Sequence, residues 1–369
     1  MPDSTDVFVI GGGPAGLAAA IAARQLGFRV TVADGAKPPI DKPCGEALMP
    51  DAIAALQLLG VVVPRGEAWP IGGVRFFSSG SSAEAEFPAE CSGLSVRRTV
   101  LHRLLSERAA DVGVNLLWQS VVTRVSPDEV RLGNRSVRTR WIVGADGVNS
   151  RVRRWAKLDA YSRSNLRYSF LQHYRVTPWS DQLEIYWGKE CQAYATAVSD
   201  DQVCVAVASP NPHLRLEQSL SAFPELSAHL RGAKATSTER GALTANRKLK
   251  RVWRQNIALI GDASGTVDAI TGEGLGLSFC QAAILAQCLQ AGDLSPYQAA
   301  HRRLARRPLM MARLMLTLDG RPRLQKRTIQ VFRKRPQVFR KLLALHVGSI
   351  SPARLALDGI AFGWELLFA

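Results

Sequence analysis

Val7-Phe8-Val9-Ile10-Gly11-Gly12-Gly13-Pro14-Ala15-Gly16 decides the fold. Four apolar residues form a run short enough for a buried parallel strand, and the alanine-rich segment 17–26 that follows reads as a helix. Strand, glycine turn and helix in that order are the context in which such a turn signals the pyrophosphate of a dinucleotide. Gly11 permits the tight turn, Gly13 lets backbone approach the phosphates, and Gly16 lets helix and strand pack closely. The phosphates would rest on the positive helix N-terminus at Pro14 and Ala15. A second apolar run, Val30-Thr31-Val32-Ala33, ends at Asp34-Gly35, where a carboxylate hydrogen-bonds an adenosine ribose.

Two further glycine stretches follow apolar runs. Gly144-Ala145-Asp146-Gly147 comes after Trp141-Ile142-Val143, and Gly261-Asp262-Ala263 comes after Ile257-Ala258-Leu259-Ile260. Each sits at the carboxyl end of an expected strand, where open α/β sheets bind their ligands. Asp146 has two readings, a cofactor contact or the cap of a helix over 148–155. Beyond Asp262, Thr271-Gly272-Glu273-Gly274-Leu275-Gly276 opens an expected helix over 273–289, whose first amides would stabilise negative charge on a bound ring.

Between these elements the pattern changes. Residues 72–87 alternate as a hairpin does, a helix is expected over 100–110, and strands are expected at 114–118 and 120–125. Strands are also expected at 168–176, 183–187, 193–198 and 203–208, an antiparallel sheet suited to a substrate platform. The expected architecture is therefore α/β: a Rossmann-like nucleotide domain in pieces (1–72, 93–158 and 245–300), an inserted antiparallel-sheet domain (73–92 and 159–244) and a helical C-terminal region (301–369).

At 369 residues with 47% apolar content, the chain is long enough for about two domains with ordinary cores. Its acidic start runs at once into a strand and lacks the basic region of a signal peptide, so a cytoplasmic location is expected. Six cysteines without a CxxC pair suggest neither a metal site nor a disulfide framework.

The formal charge of +16 is unevenly placed: residues 301–369 hold fifteen Lys and Arg against three acids, a net of +12. Basic and apolar residues alternate there at helical spacing, as in Arg302-Arg303-Leu304-Ala305-Arg306-Arg307. Two readings stand, helices lying on an anionic membrane surface or an ordinary solvated face. The apolar stretch 355–369 would lie on a membrane or cap a hydrophobic tunnel. Nucleic acid is not an expected partner, because the basic residues lack interleaved aromatics.

The strand-GGGPAG-helix, GADG and GDA stretches, with TGEG after them, resemble the FAD-dependent flavoprotein family typified by para-hydroxybenzoate hydroxylase and the geranylgeranyl reductases, over residues 7 to about 290. The resemblance implies FAD, with NAD(P)H as reductant. It implies that Gly11, Gly13, Gly16 and Asp34 hold the ADP half and Asp262 the ribityl-pyrophosphate. Arg98 would reach the phosphates or ribityl chain, with Arg97 as the competing choice. Asp146 would contact both FAD and the pyridine nucleotide. Pro14, Ala15, Gly35, Gly45, Val122, Gly261, Gly272, Gly274 and Leu275 complete the cofactor set.

Lys42-Pro43-Cys44-Gly45-Glu46 resembles the geranylgeranyl reductase branch, whose cysteine lies near the flavin. Cys44 would tune the flavin or protonate substrate, or else be a buried structural thiol. That branch also carries a Tyr-x-Trp-x-Phe-Pro pattern, which Tyr194-Ala195-Thr196-Ala197-Val198 matches only at the tyrosine; the Trp-x-Trp-x-Ile-Pro pattern of flavin halogenases is absent. Both differences point away from polyprenyl reduction and halogenation. His173, Tyr174, Tyr186 and Tyr194 are the acid–base candidates in the sheet, His173, Tyr194 and Cys44 being the catalytic set. The expected activity is an NAD(P)H-using monooxygenase of a lipophilic aromatic or polyketide-like molecule, the alternative a reductase of an isoprenoid or lipid alkene.

Overall fold

In the computed structural model, which describes residues 3–43 and 45–351, the strand Ser4–Ile10 is central to a parallel sheet. Cys44 and the stretch 355–369 lie outside the described residues. Val7, Phe8 and Val9 register against Val30, Thr31 and Val32 on one side and Trp141, Ile142 and Val143 on the other. Flanked on both edges and covered on both faces, they are wholly buried, which is why the run has no polar alternation. The sheet continues through Asn115–Leu117 at one side and Ile257–Leu259 at the other, all parallel, and an antiparallel hairpin of Val122–Ser126 and Glu129–Leu132 leads into Arg135–Gly144.

Two helices cover the face beneath the glycine turn. Pro14–Gln25 packs its alanines against Gly274–Ala291. The latter is long and apolar enough to cross a membrane by length and composition alone, yet half of it is buried in this core. The helix over 148–155 is shorter than the sequence predicts, Arg151–Trp155, because Ser150 takes the N-cap and accepts the Arg153 amide at 2.9 Å.

The second sheet has nine strands and is antiparallel apart from one pairing. Gly73–Ser78 of the early hairpin runs parallel to Gln182–Trp187, so segments far apart in sequence share one platform. The strand expected at 168–176 runs instead over Tyr161–Arg175. Its first half is polar and exposed, and is held by pairing with Arg240–Leu249 rather than by burial.

Three helices, Ser295–Leu318, Pro322–Lys334 and Pro336–His346, lie over this platform and are called the cap. Phe332 and Phe339 stack at 4.3 Å between ring centroids, and Phe339 reaches Phe76 of the sheet at 5.4 Å. All three rings are at least 94% buried, each burial stabilising by roughly 2–3 kcal/mol. The outward faces of the cap hold the charge: Arg302, Arg303, Arg306, Arg313, Arg323 and Lys326 are exposed.

Candidate functional site

The glycine turn is shaped by contacts that exclude side chains. Gly11 has φ +112°, and a Cβ there would overlap the Ala145 carbonyl; one on Gly16 would overlap the Gly11 carbonyl. At Gly13 a Cβ would meet nothing within 4 Å, so this glycine opens onto space. Gly45 and Gly274 are open in the same way. Trp118 fills the space above Gly12, a contact that the glycine pattern does not foretell.

Asp34 ties the turn together, accepting the Gly12 amide on Oδ2 at 2.7 Å and the Ala36 amide on Oδ1 at 2.8 Å. His102, fully buried, donates from Nε2 to the Gly12 carbonyl at 2.9 Å, and burial holds its pKa below the usual histidine range. Asp34, Gly35 and Val122 lie at the carboxyl end of the sheet but not on the wall of the main cavity.

That cavity, about 640 Å³, begins at Gly13, Pro14 and Ala15. It passes Gly45, Arg98, Gly261, Asp262, Gly272, Gly274 and Leu275, then continues between the second sheet and the cap. Ten of the cofactor residues expected from sequence thus converge on one space. Arg97 and Arg98, equivalent in sequence, part here. Arg97 donates to Gln202 at 2.7 Å, whereas Arg98 lines the cavity with Nε and one terminal nitrogen buried and unpartnered.

Asp262 lines the cavity and is exposed there. Burial among protein pushes its carboxyl above the usual range, and the cations Lys42, Arg98 and Arg247 oppose the shift. Asp146 is a helix cap, its Oδ2 accepting the Arg151 and Val152 amides at 2.6 and 3.1 Å, while its Oδ1 is buried without a partner. Its neighbours Ala145 and Gly147 line the cavity.

The acid–base candidates separate sharply. His173 is away from the cavity wall, and both its ring nitrogens are engaged, Nδ1 3.1 Å from Ser237 Oγ and Nε2 3.1 Å from Glu46 Oε1. It clamps the sheet to the segment at Glu46, just before the short strand Ala47–Leu48, a structural contact in place of the expected catalytic one. Tyr174 donates to Gln172 at 3.0 Å and Tyr186 to Glu184 at 2.6 Å, and neither lines the cavity. Tyr194 does line it. Its phenol is pushed up to about 12 by burial, against the pull of Arg167.

Around Tyr194 lies a polar island in a mostly apolar wall, which also carries Ser169, Thr244, Thr328 and His346. Arg167, 3% exposed, donates to Asp319 at 3.0 Å and Asp268 at 3.2 Å. Gln192 donates to Asp319 at 2.7 Å and accepts the Tyr194 hydroxyl at 2.9 Å. Sequence reading misses Arg167, Gln192, Asp268 and Asp319. One signal was available, since Asp319 is the single acid between 301 and 351.

A second polar group lies behind the start of helix Gly274–Ala291. Glu273, 4% exposed, has Arg307 Nε and His346 Nδ1 each at 3.5 Å, and neither is a hydrogen bond; Arg307 pairs with Asp51 instead. Burial pushes Glu273 up to about 8 against the pull of Arg307, and pushes His346 down to about 4. Glu273 and His346 thus face each other as a neutral pair.

Open space at Gly13, Gly45 and Gly274, a helix N-terminus and the unpartnered Arg98 fit a dinucleotide with its phosphates at the glycine turn.

Relatives agree with that geometry. The chain is 28% identical to a menaquinone reductase of Mycobacterium tuberculosis over 320 residues, 79% of this chain and 78% of that one. It is 27% identical to digeranylgeranylglycerophospholipid reductase 1 of Methanothermobacter thermautotrophicus over 329 residues, 82% of this chain and 81% of that one. In fold it is similar to the flavin-dependent brominase Bmp2, with a TM-score of 0.81 at 20% identity over 98% of this chain and all of that one. A family model described as FAD binding domain matches residues 4–292, and the chain belongs to that family of FAD-dependent oxidoreductases.

Proposed function

We propose that this flavoprotein is an NAD(P)H-using monooxygenase that hydroxylates a lipophilic, oxygen-bearing aromatic molecule. The observation that carries the reading is the cavity: mostly apolar between platform and cap, continuous with the phosphate cradle, and holding a hydrogen-bonded polar island at Arg167 and Tyr194. An amphiphile with an oxygenated ring and a greasy tail matches that wall, the ring oxygen at the island and the tail along the cap. The overall change is balanced: substrate C–H, O2, NAD(P)H and a proton give substrate C–OH, water and NAD(P)+.

FAD supplies the activation of oxygen when bound. Gly13 and Arg98 would hold its pyrophosphate, Asp262 would accept a ribityl hydroxyl, and the amides at Gly274 and Leu275 would offset negative charge on the ring. The protein's remaining work is to orient the substrate and keep water out. Phe332, Phe339, Trp187 and Leu343 do the latter, forming an apolar wall with no unpaired charge.

A second reading, reduction of an isoprenoid or lipid alkene, is favoured by the two reductases matched over about four-fifths of the chain. A bare alkene, however, makes no use of the polar island. Turnover under ¹⁸O2 separates the two. Product carrying one ¹⁸O atom, with none formed anaerobically, supports hydroxylation; anaerobic NAD(P)H-dependent loss of a substrate double bond overturns it. The location we propose is cytoplasmic, with the basic outer face of the cap drawn to an anionic membrane surface that supplies the substrate.

A further inference from the structure

The turn that leads into helix Gly274–Ala291 carries an acidic residue at each end, and both acids are met by side chains that belong to the cap or lead to it. Ala269, Ile270, Thr271 and Gly272 form part of the cavity wall, just before the helix start where the amides of Gly274 and Leu275 would face the cofactor ring. The segment is a single 3-10 turn, Ala269–Thr271, closed by Gly272 at φ +67°, and is too short to bury a core of its own. On the platform it rests on two bonds, the Asp268 amide donating to Asn246 Oδ1 at 2.9 Å and the Ala269 amide to Thr244 Oγ1 at 2.7 Å.

Its acidic ends look the other way. Asp268, with no exposure, accepts the Ile270 amide at 3.0 Å and Arg167 at 3.2 Å. Arg167 donates in turn to Asp319, in the link between the first two cap helices, at 3.0 Å. At the other end Glu273 has Arg307 of the first cap helix and His346 of the third each at 3.5 Å. The first cap helix also packs directly on the turn. Buried polar contacts of this kind add little net stability, because desolvation offsets attraction, yet each favours one arrangement, since displacing either partner leaves the other buried and unmatched. The cap is held down by apolar packing, the stack of Phe332, Phe339 and Phe76, while the polar contacts set where the turn sits once the cap is down.

We infer that the cap positions the flavin-facing turn, with Asp319 and Arg307 as positioning residues that act through Arg167 and Asp268 on one side and through Glu273 on the other. Neither Asp319 nor Arg307 lines the cavity, so their effect on the cofactor passes through the turn. Cap docking and FAD binding then favour each other, and by linkage to the same extent. This rests on the flavin ring lying at the start of helix Gly274–Ala291, as proposed above, and holds whether the bound molecule is hydroxylated or reduced.

The test uses the full chain without substrate or NAD(P)H. Hydrogen exchange in the cap segment 322–346 is compared by mass spectrometry in FAD-free and FAD-saturated protein. FAD should slow exchange there at least about fivefold, the low end of such couplings, and leave residues 216–229, packed on the opposite face of the platform, unchanged. Asp319→Asn should bind FAD at least about fivefold more weakly in a fluorescence titration. Once saturated, it should show a more negative flavin reduction potential, because the first amides of the helix are no longer held against the charge on the reduced ring. Arg307→Gln should do the same, and takes the place of Asp319→Asn if that variant does not fold. Equal exchange in 322–346 with and without FAD overturns the inference, as does a smaller loss of FAD affinity in the variants. A weaker affinity with an unaltered potential overturns the positioning role, since general loosening of the fold would do that much. The hydroxylase reading is judged by ¹⁸O incorporation alone, so either can fail without the other.

Discussion

Replacing Glu273 by Gln should remove a pH dependence of stability that the buried pair predicts. In the unfolded chain a glutamate loses its proton near 4.5, and in the fold Glu273 keeps it to about 8. Between those values the native state holds one more proton than the unfolded state, so stability falls as pH rises, by about 1.4 kcal/mol per unit. His346 acts in the opposite sense. Its usual pKa of 6.5 drops to about 4, so between 4 and 6.5 the unfolded state holds the extra proton and stability rises with pH. From 4.5 to 6.5 the two slopes cancel. His301, also pushed down to about 4 by burial, adds a rising limb below 6.5.

Of these three groups only Glu273 titrates between pH 6.5 and 8. One proton across that interval gives a loss of roughly 2 kcal/mol. Urea unfolding of FAD-saturated protein, followed by tryptophan fluorescence at pH 6.5 and 8.5, measures it. The unaltered protein should lose about that amount, whereas Glu273→Gln, neutral at both pH values, should show a much smaller change and be the more stable of the two at pH 8.5. Equal stability of the unaltered protein at both pH values would refute the neutral pair. So would the same loss in Glu273→Gln.

Gly13→Ala should leave thermal stability nearly unchanged, because its methyl enters open space, while FAD affinity measured by fluorescence titration falls at least about tenfold as the phosphate cradle fills. Gly16→Ala should do the reverse first, costing about 3 kcal/mol or more of folding stability through overlap with the Gly11 carbonyl. Arg98→Ala should weaken FAD binding by roughly tenfold or more, and Arg97→Ala, whose partner is Gln202, should weaken it far less; equal losses would contradict the division between them. Reversing charge at Arg302, Arg303 and Arg306 should abolish co-sedimentation with vesicles containing phosphatidylserine, and raised salt should weaken the unaltered protein's binding in the same assay.

The nucleotide half of the fold was readable because its signals are local. Val7 to Ile10 is apolar throughout, since neighbours on both edges and cover on both faces leave no residue facing water. Gly11 and Gly16 are required by overlaps with backbone only a few residues or one strand away. The polar first half of Tyr161–Arg175 was not readable. Burial writes a period of two into sequence, but this segment is exposed and held by its partner strand. Likewise the parallel pairing of Gly73–Ser78 with Gln182–Trp187 joins segments more than 100 residues apart, and neither segment encodes the other.

The site divides along the same line. Residues at the dinucleotide end of the cavity lie in turns and at a helix start, where the backbone itself imposes a pattern, so Gly13, Asp262 and Gly274 could be named from sequence. The polar island is made of single side chains on different elements: Tyr194 and Gln192 two apart on one strand, Arg167 on another, Asp268 before a short 3-10 turn and Asp319 in the cap. Their relation is a chain of donors and acceptors, which has no sequence period. His173 is the residue type most often an acid or base, yet its two nitrogens face Ser237 and Glu46. Asp319 is the residue whose oddness was visible, a lone acid in a strongly basic region. A carboxylate kept among so many cations has a buried partner to meet, and here it meets two, Arg167 of the platform and Gln192 beside Tyr194, which ties the cap into the polar island of the cavity rather than leaving it a cover over it.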